Sequence, residues 1–203
     1  AGAIRRDRAG RLGPASAITK QFDTKEEAFA SVASPHSMLY HPSAVIQHHF
    51  RGAEDVLIWA GIQDRATARD MLDVGVARLP QALADQLQAD PAPWAQWLDK
   101  YRASARAIED EFDVLPPTVF PDWQTIETLL IDEVIPGTRV AVVNSDPNAD
   151  DRPAYAPSQD PETGKWSAAR DISTIFVSGN VMARGLTLEG MTTALFQRSS
   201  ANP

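Results

Sequence analysis

Four short runs in the sequence have the length and composition of buried strands. They are Ser37–His41, Arg139–Asn144, Ile172–Val177 and Met191–Gln197. Prolines bound the first run on both sides, and a Pro-Gly turn precedes the second. Runs of this length that are rich in β-branched and aromatic residues predict strands rather than helices.

Most of the chain between the first two strands has the periodicity of helices, with apolar residues at intervals of three to four. The predicted helical stretches are Ala44 to Ile62 with an interruption near Gly52, Ala66 to Leu72, Val76 to Leu87, Pro91 to Phe112 and Asp122 to Val134. Pro91 or Pro93 suits a helix start, and Asp122 suits an N-cap.

Strands separated by helices predict an α/β fold with a mostly parallel sheet and an inserted helical subdomain. We assign residues 1–36 to a basic, partly flexible N-terminal segment. Residues 37–62 and 138–203 supply the sheet elements, and residues 63–137 form the helical subdomain. A polar loop covers residues 145–165, in which Asp160–Lys165 has the chemistry of a hairpin tip.

Composition narrows the classes of function. The chain of 203 residues is 43% hydrophobic and can bury the core of one domain or one large lobe. Its formal net charge of -8 argues against a free-standing nucleic-acid-binding protein, while leaving room for a local basic patch. Cysteine is absent, which excludes disulfides and cysteine-bearing zinc sites and fits the cytoplasmic location that we expect. The sequence has no apolar run long enough to predict a membrane helix.

The sharpest motif lies between the third and fourth strands and reads Gly-Asn-Val-Met-Ala-Arg-Gly-Leu-Thr-Leu-Glu-Gly-Met from Gly179 to Met191. A strand that ends in glycine exposes backbone donors at the carboxyl edge of the sheet, where α/β proteins bind ligands. Arg184 can hold a phosphate, and Gly185 lets the backbone approach it closely. The alternative is a tight connection that merely needs glycines, and the spacing alone favours this alternative.

The segment resembles the Z1 (Z-one) domain of bacterial proteins described as endonucleases. That family has an aromatic strand followed by Gly-Asn and Leu-Ser-Arg-Gly-Leu-Thr-Leu-Glu-Gly-Leu. This chain departs from the pattern at Ser178, Met182, Ala183 and Met191. Ser37–Ser43 resembles a second family segment, Ser-Met-Leu-hydrophobic-His, in the same order along the chain. Because the sequence has no initiator methionine and stops after a strand-like run, we expect an internal fragment of a longer polypeptide.

The resemblance implies a partial RecA-like lobe, because the signature also looks like motif five of superfamily-two helicases. Gly179, Asn180 and Ser37 would then contact nucleic acid. Arg184 and Gly185 would be the catalytic residues, while Thr187 and Glu189 would bind the nucleotide. Ser37–His41 would form the neighbouring strand of the same lobe. We expect residues 179–190 to form a rigid elbow at the carboxyl edge of the sheet.

The implied function is that of a DNA-dependent NTPase, a helicase-like translocase or remodeller in a restriction or phage-defence system. Its expected partners are DNA, the first helicase lobe of the same polypeptide and a nuclease subunit. ATP and Mg²⁺ would act in the full-length protein, whereas the fragment alone should be inactive because it has no phosphate loop. The rival hypothesis is a non-catalytic interaction module that docks a nuclease subunit.

Three other groups of residues suggest chemistry, and each has a plainer explanation. Asp122 and Glu127 begin a nuclease pattern but lack the lysine that should follow, and Glu162 and Lys165 are spaced one residue too far apart, so both pairs are interpreted as surface features. The four histidines, His36, His41, His48 and His49, lack a pair at helical ligand spacing, so we predict ordinary surface or core histidines and no metal site. Trp94, Trp97 and Tyr101 could stack on bases, but their spacing favours a packing face within the core.

Overall fold

The computed structural model describes residues 21–32, 35–75, 77–112, 119–143, 153–169, 171, 173–179 and 190–197. The strands in this part are β1 (Gln21–Phe22), β2 (His36–His41), β3 (Thr138–Val143), β4 (Ser158–Gln159), β5 (Trp166–Ser167), β6 (Ser173–Ser178) and β7 (Met191–Phe196). The helices are α1 (Lys25–Ala30), α2 (Ile46–Trp59), α3 (Arg65–Asp73), α4 (Gln81–Ala89), α5 (Ala92–Glu111), α6 (Trp123–Leu129) and α7 (Ile135–Gly137). A π-helical turn, Leu130–Val134, joins α6 to α7.

Within the described ranges, the main sheet has four strands in the order β3-β6-β2-β7, and every neighbouring pair is parallel. All four strands were predicted from their apolar runs, and the predicted parallel α/β sheet is confirmed. Strand β2 lies between β6 and β7, so the first predicted strand is indeed the neighbour of the strand that leads into the glycine motif. The register pairs Tyr40 of β2 with Val177 of β6.

Helices α2 and α3 cover one face of this sheet. Phe50, Ala53 and Leu57 of α2 form one buried cluster with Val140 and other residues of the strands. Ala68 and Leu72 of α3 belong to the same cluster. The packing therefore shows no boundary at residue 63, where the helical subdomain is predicted to begin, and that subdomain stays a prediction.

The predicted interruption of the helix near Gly52 is wrong, because α2 runs unbroken from Ile46 to Trp59. A Cβ atom at Gly52 would lie 3.0 Å from Pro42 Cγ and 3.2 Å from Tyr40 Cε1. The glycine thus lets the helix pass close to the end of β2, and does not end it.

The predicted helix from Val76 to Leu87 begins later than expected, at Gln81. Pro80 precedes it, and a proline favours extended backbone in the residue before it. Arg78 forms an isolated antiparallel bridge with Arg139 of β3. The amide of Leu79 donates to Thr138 O at 3.0 Å. This stretch therefore extends along the outer edge of β3 before the helix starts.

Helix α5 begins beside Pro91, as predicted, but it is far more exposed than expected. Leu98 is its one buried residue. Trp97 is 57% exposed and Tyr101 is 61% exposed, so the prediction that this face packs in the core is wrong for both. Trp94 is partly buried against a cluster that includes Leu83 and Leu87 of α4.

A small antiparallel sheet in the order β1-β5-β4 joins two distant parts of the chain. Strands β4 and β5 form the predicted hairpin, and Asp160 Oδ1 at its tip accepts a hydrogen bond from the amide of Glu162 at 2.8 Å. Residues 21–32 of the predicted N-terminal segment supply β1 and α1, with Phe22 and Ala28 buried against Ala168. No described helix is both long and apolar enough to cross a membrane.

Candidate functional site at the carboxyl edge of the sheet

The glycine motif begins at the carboxyl end of a central strand. Gly179 directly follows β6, which lies between β3 and β2. Ligands of open α/β sheets bind at this edge, outside the carboxyl ends of the strands. Ser178, the last residue of β6, is fully buried, and its hydroxyl donates to the carbonyl oxygen of Val143 at the end of β3. The ends of these two strands are therefore fixed to each other just below the edge.

Helix α2 places a histidine directly against Gly179. A Cβ atom at position 179 would lie 2.5 Å from His49 Cε1 and 2.6 Å from His49 Nε2. Such distances are far inside van der Waals contact, so no larger residue fits there while His49 keeps its place. His49 is 1% exposed.

The imidazole of His49 has one hydrogen bond that defines its protonation. Its Nε2 lies 2.9 Å from the carbonyl oxygen of Ser43, in the turn that follows β2. A carbonyl oxygen only accepts, so Nε2 is the protonated nitrogen. Nδ1 is buried and has no hydrogen-bond partner among the described residues. Burial lowers the pKa of His49 more than the bond to Ser43 raises it, which favours the neutral ring.

A second histidine, His41, ends β2 beside the first and is 2% exposed. Its ring meets the edge of the His49 ring, with 6.4 Å between centroids, and stacks on Phe196 of β7 at 5.4 Å. His48 is exposed whereas His49 is buried, so the two adjacent histidines do point to different faces of α2, as predicted. Within the described residues, no three His, Cys, Asp or Glu side chains are grouped to hold a metal ion.

Ser37 lies at the other end of the sheet. Its neighbour on β6 is Thr174, five residues before Gly179, which corresponds to about 16 Å along a strand. The Ser37 side chain is fully buried, and its Oγ lies 3.4 Å from Tyr155 Oη. The structure thus does not bring Ser37 and Gly179 together, and it offers no exposed hydroxyl at Ser37 for nucleic acid.

Gly190, the last glycine of the motif, also lies at the amino end of the sheet, where its carbonyl oxygen accepts a hydrogen bond from Ser37 N at 2.8 Å. The segment from Gly179 to Gly190 therefore begins at one end of the sheet and ends at the other. This differs from the predicted elbow at a single edge. Five predicted site residues lie outside the described part of the chain: Asn180, Arg184, Gly185, Thr187 and Glu189.

A comparison with protein families decides the relationship that the motif suggests. The family profile described as Z1 domain matches residues 15–202, which is nearly the whole chain. The chain belongs to the Z1 domain family. No curated protein and no solved structure matches the chain.

In this Z1 domain, polar contacts outside the glycine motif join the ends of β2 and β7 at the carboxyl edge of the sheet. The hydroxyl of Tyr40 donates to Gln197 Oε1 at 2.8 Å. The backbone amide of Gln197 donates to His41 O at 2.9 Å. Burial, and then the nearby charge of Asp55, raise the pKa of Tyr40. These contacts fix the end of β7 beside the end of β2.

Two of the residues considered for a nuclease, Asp122 and Lys165, make local structural contacts in this Z1 domain. Asp122 caps helix α6 by accepting from the amide of Thr125 at 2.7 Å. Lys165 pairs with Asp23 at 2.6 Å, and both side chains are exposed. Glu162 is exposed in the hairpin turn. Asp122, Glu162 and Lys165 are thus exposed, as their interpretation as surface features predicts, whereas Glu127 is half-buried.

Sequence reasoning missed two features of the Z1 domain. The first is His49 beneath Gly179, for which the only signal was a histidine among the apolar residues of α2. The second is a buried ion cluster at the amino end of the sheet, where Asp171 is 1% exposed and accepts from Arg78 Nη2 at 2.5 Å and from Arg139 Nη1 at 3.0 Å. These residues are separated by 32 and 93 positions in the sequence, so no local pattern joins them.

Proposed function

We propose that this Z1 domain forms part of a RecA-like lobe of a DNA-dependent NTPase. In this proposal the full-length protein is a helicase-like translocase or remodeller that works with a restriction or phage-defence endonuclease. The observation that supports it most is the placement of Gly179 at the carboxyl edge of a central strand in a parallel sheet. This is the edge at which NTPases with such sheets bind phosphate.

The proposed roles follow the order of the motif. Gly179 and Asn180 contact the DNA backbone, and Arg184 with Gly185 stabilises the charge that develops on the transferred phosphate. Thr187 and Glu189 contact the nucleotide. A guanidinium suits the first task because it is always charged and can bind phosphate oxygens in pairs.

ATP and Mg²⁺ would lie between this lobe and the first lobe of the same polypeptide. The described groups at the carboxyl edge suit contacts to phosphate but not the binding of Mg²⁺. Ser43, Tyr40, His49 and Gln197 are neutral polar residues, whereas Mg²⁺ sites in NTPases use carboxylates and phosphate oxygens. We therefore assign the Mg²⁺ ligands to the first lobe and only phosphate contacts to this domain.

The test is DNA-stimulated ATP hydrolysis by the full-length protein with Arg184→Ala. Loss of an arginine that stabilises the transition state should lower turnover by about a hundredfold or more. Arg106→Ala is the matched control, because Arg106 is an exposed arginine on α5, outside the glycine motif. Unchanged turnover in Arg184→Ala, or an equal loss in both variants, would remove the proposed role.

A second candidate function is a non-catalytic module that docks a nuclease subunit. The observation that favours it is the exposed aromatic pair on α5, where Trp97 and Tyr101 are 57% and 61% exposed with ring centroids 6.3 Å apart. Aromatic residues are enriched at protein interfaces. The net charge of -8 also suits a protein partner better than DNA.

Salt dependence separates the two functions. A DNA-dependent NTPase that contacts several phosphates loses DNA affinity steeply as the salt concentration rises, because counterions are released on binding. A docking module should show no such DNA binding, and Trp97→Ala with Tyr101→Ala should abolish its capture of the nuclease subunit. Retention of the subunit by that double variant would exclude docking through α5.

A further inference from the structure

Gly179 and His49 form a contact between the first residue of the glycine motif and a helix far away in the sequence. The hypothetical Cβ distances of 2.5 and 2.6 Å show that the backbone of Gly179 lies directly on the imidazole. Ser43 O would lie 3.5 Å from the same Cβ. The end of β6 therefore contacts α2 through His49, and the segment that follows β2 lies close to it.

The imidazole is held in one orientation. Its Nε2–H donates to Ser43 O at 2.9 Å, and the His41 ring packs against it in a T-shaped arrangement with 6.4 Å between centroids. Among the described residues its Nδ1 has no partner, and this buried acceptor costs free energy that an apolar residue of similar size would not. A side chain chosen only to fill the core would be apolar, whereas the hydrogen bond of a histidine also fixes where the ring lies.

We propose that His49 is a positioning residue: its imidazole sets the point at which the backbone leaves β6, and through it the placement of the motif segment. For its effect on catalysis this inference rests on the proposed NTPase function. The contact itself does not depend on that function. His49 touches neither DNA nor nucleotide in this proposal, and acts through Gly179 alone.

The first experiment measures DNA-stimulated ATP hydrolysis by the full-length protein with His49→Ala, His49→Gln and His48→Ala. His49→Ala should lower kcat by about tenfold or more, because small displacements of catalytic groups are costly, while KM for ATP changes little. His49→Gln should retain more activity, since the glutamine amide can still donate to Ser43 O. His48 is exposed on the same helix, so His48→Ala should behave as wild type.

The second experiment is a double-mutant cycle by thermal unfolding with Gly179→Ala, His49→Ala and the double variant. Gly179→Ala should lower Tm in the wild-type background and much less in the His49→Ala background, because the smaller residue frees the space that the new methyl group needs. His49→Gln replaces His49→Ala in the cycle if the alanine variant does not fold.

The outcomes separate the inference from the proposed function. If the wild-type protein shows no DNA-stimulated hydrolysis, the NTPase proposal fails, and the unfolding cycle alone decides the contact. If hydrolysis is present and a folded His49→Ala protein keeps the wild-type kcat, His49 does not position the motif. Equal effects of Gly179→Ala in the two backgrounds would show that the contact is absent, and would overturn the inference in either case.

Discussion

The carboxylate of Asp171 accepts a hydrogen bond from Arg139 Nη1 at 3.0 Å, and both side chains are largely withdrawn from solvent, with exposures of 1% and 12%. Arg78 approaches the other oxygen at 2.5 Å, and the amide of Ala154 adds a third hydrogen bond at 2.9 Å. One buried carboxylate thus joins the start of β3, the stretch before α4 and the segment that leads into β6.

Asp171→Asn should destabilise the protein strongly, because it removes the charge that the largely buried Arg139 and the partly exposed Arg78 both face. Breaking such a pair by changing one partner costs on the order of 3 kcal/mol. Urea unfolding of the two proteins measures the difference. The exposed pair of Asp23 and Lys165 provides the control, since Asp23→Asn should change the unfolding midpoint very little. A comparable loss in both variants would contradict this assignment.

The same carboxylate should make stability depend on acid pH. Burial alone would raise the pKa of Asp171, but the Ala154 amide and the charges of Arg78 and Arg139 outweigh it and lower the pKa below its ordinary value of 3.8. A carboxyl group with a lowered folded pKa stabilises the fold above the unfolded value, and this contribution is lost as the pH falls through the folded pKa. The stability difference between wild type and Asp171→Asn should therefore be constant from pH 7 to about 5 and shrink below about 4. Urea titrations across this range measure it, and a difference that grows with acid would refute the assignment.

His49 predicts a second pH effect, in a different range. Burial lowers its folded pKa below the ordinary 6.5, so the folded protein binds fewer protons than the unfolded chain. The stability that comes from the neutral ring is present above pH 6.5 and falls as the pH drops below that value. Tm between about pH 8 and about pH 5.5 should fall more in the wild-type protein than in His49→Gln. His48→Ala should stay close to the wild-type slope, because His48 is the weakest of the causes that change the pKa of His49. Parallel slopes in wild type and His49→Gln would show that His49 does not titrate in this way.

Much of the sheet could be predicted from local pattern. Each of the four main strands is a run of β-branched, aromatic or other apolar residues bounded by turn residues, and such runs indicate strands without knowledge of their neighbours. Asp122 is recognisable as an N-cap for the same reason, because capping depends on residues three positions apart. The parallel arrangement follows from the alternation of strands and helices along the chain.

The errors arose where a tertiary contact decided the outcome. Gly52 is a glycine because Pro42 and Tyr40 lie against it, which the sequence of α2 cannot show. The periodicity of Trp97 and Tyr101 indicates that they share a helix face, but not whether anything in this chain covers that face. For the candidate site, the sequence identified Gly179 at the strand end. Its neighbour His49 lies far away along the chain, and a histidine among the apolar residues of α2 does not show which strand end it contacts.

Gly52→Ala should lower stability, although alanine normally favours a helix over glycine by about 1 kcal/mol. The new methyl group would lie 3.0 Å from Pro42 Cγ and 3.2 Å from Tyr40 Cε1. The proline ring is stiff, and Tyr40 is held by its bond to Gln197, so neither moves easily. We expect a net loss of about 1 kcal/mol in urea unfolding, as overpacking outweighs the helix preference. Ser104→Ala at an exposed position of α5 should be neutral or slightly stabilising. A stabilised Gly52→Ala protein would show that Pro42 and Tyr40 shift enough to accommodate the new methyl group.

Gly190→Ala tests whether the last glycine of the motif is required by packing. Its φ of +65° lies in the left-handed region, and a Cβ atom there would overlap the carbonyl group of Pro35. We expect a loss on the order of 3 kcal/mol or more in urea unfolding, from backbone strain and overlap together.

Gly164→Ala is the matched control for this prediction. Gly164 has a φ of +70°, but its Cβ would come no closer than 4.0 Å to Gln159 Nε2, so only the backbone strain of about 1 kcal/mol remains. The difference between the two variants measures the overlap alone. Because unfolding is followed without DNA or ATP, a large difference would mean that folding alone requires glycine at position 190. Ligand binding would then have to account only for the motif residues between Gly179 and Gly190. Equal losses would instead leave Gly190 available for a role in binding.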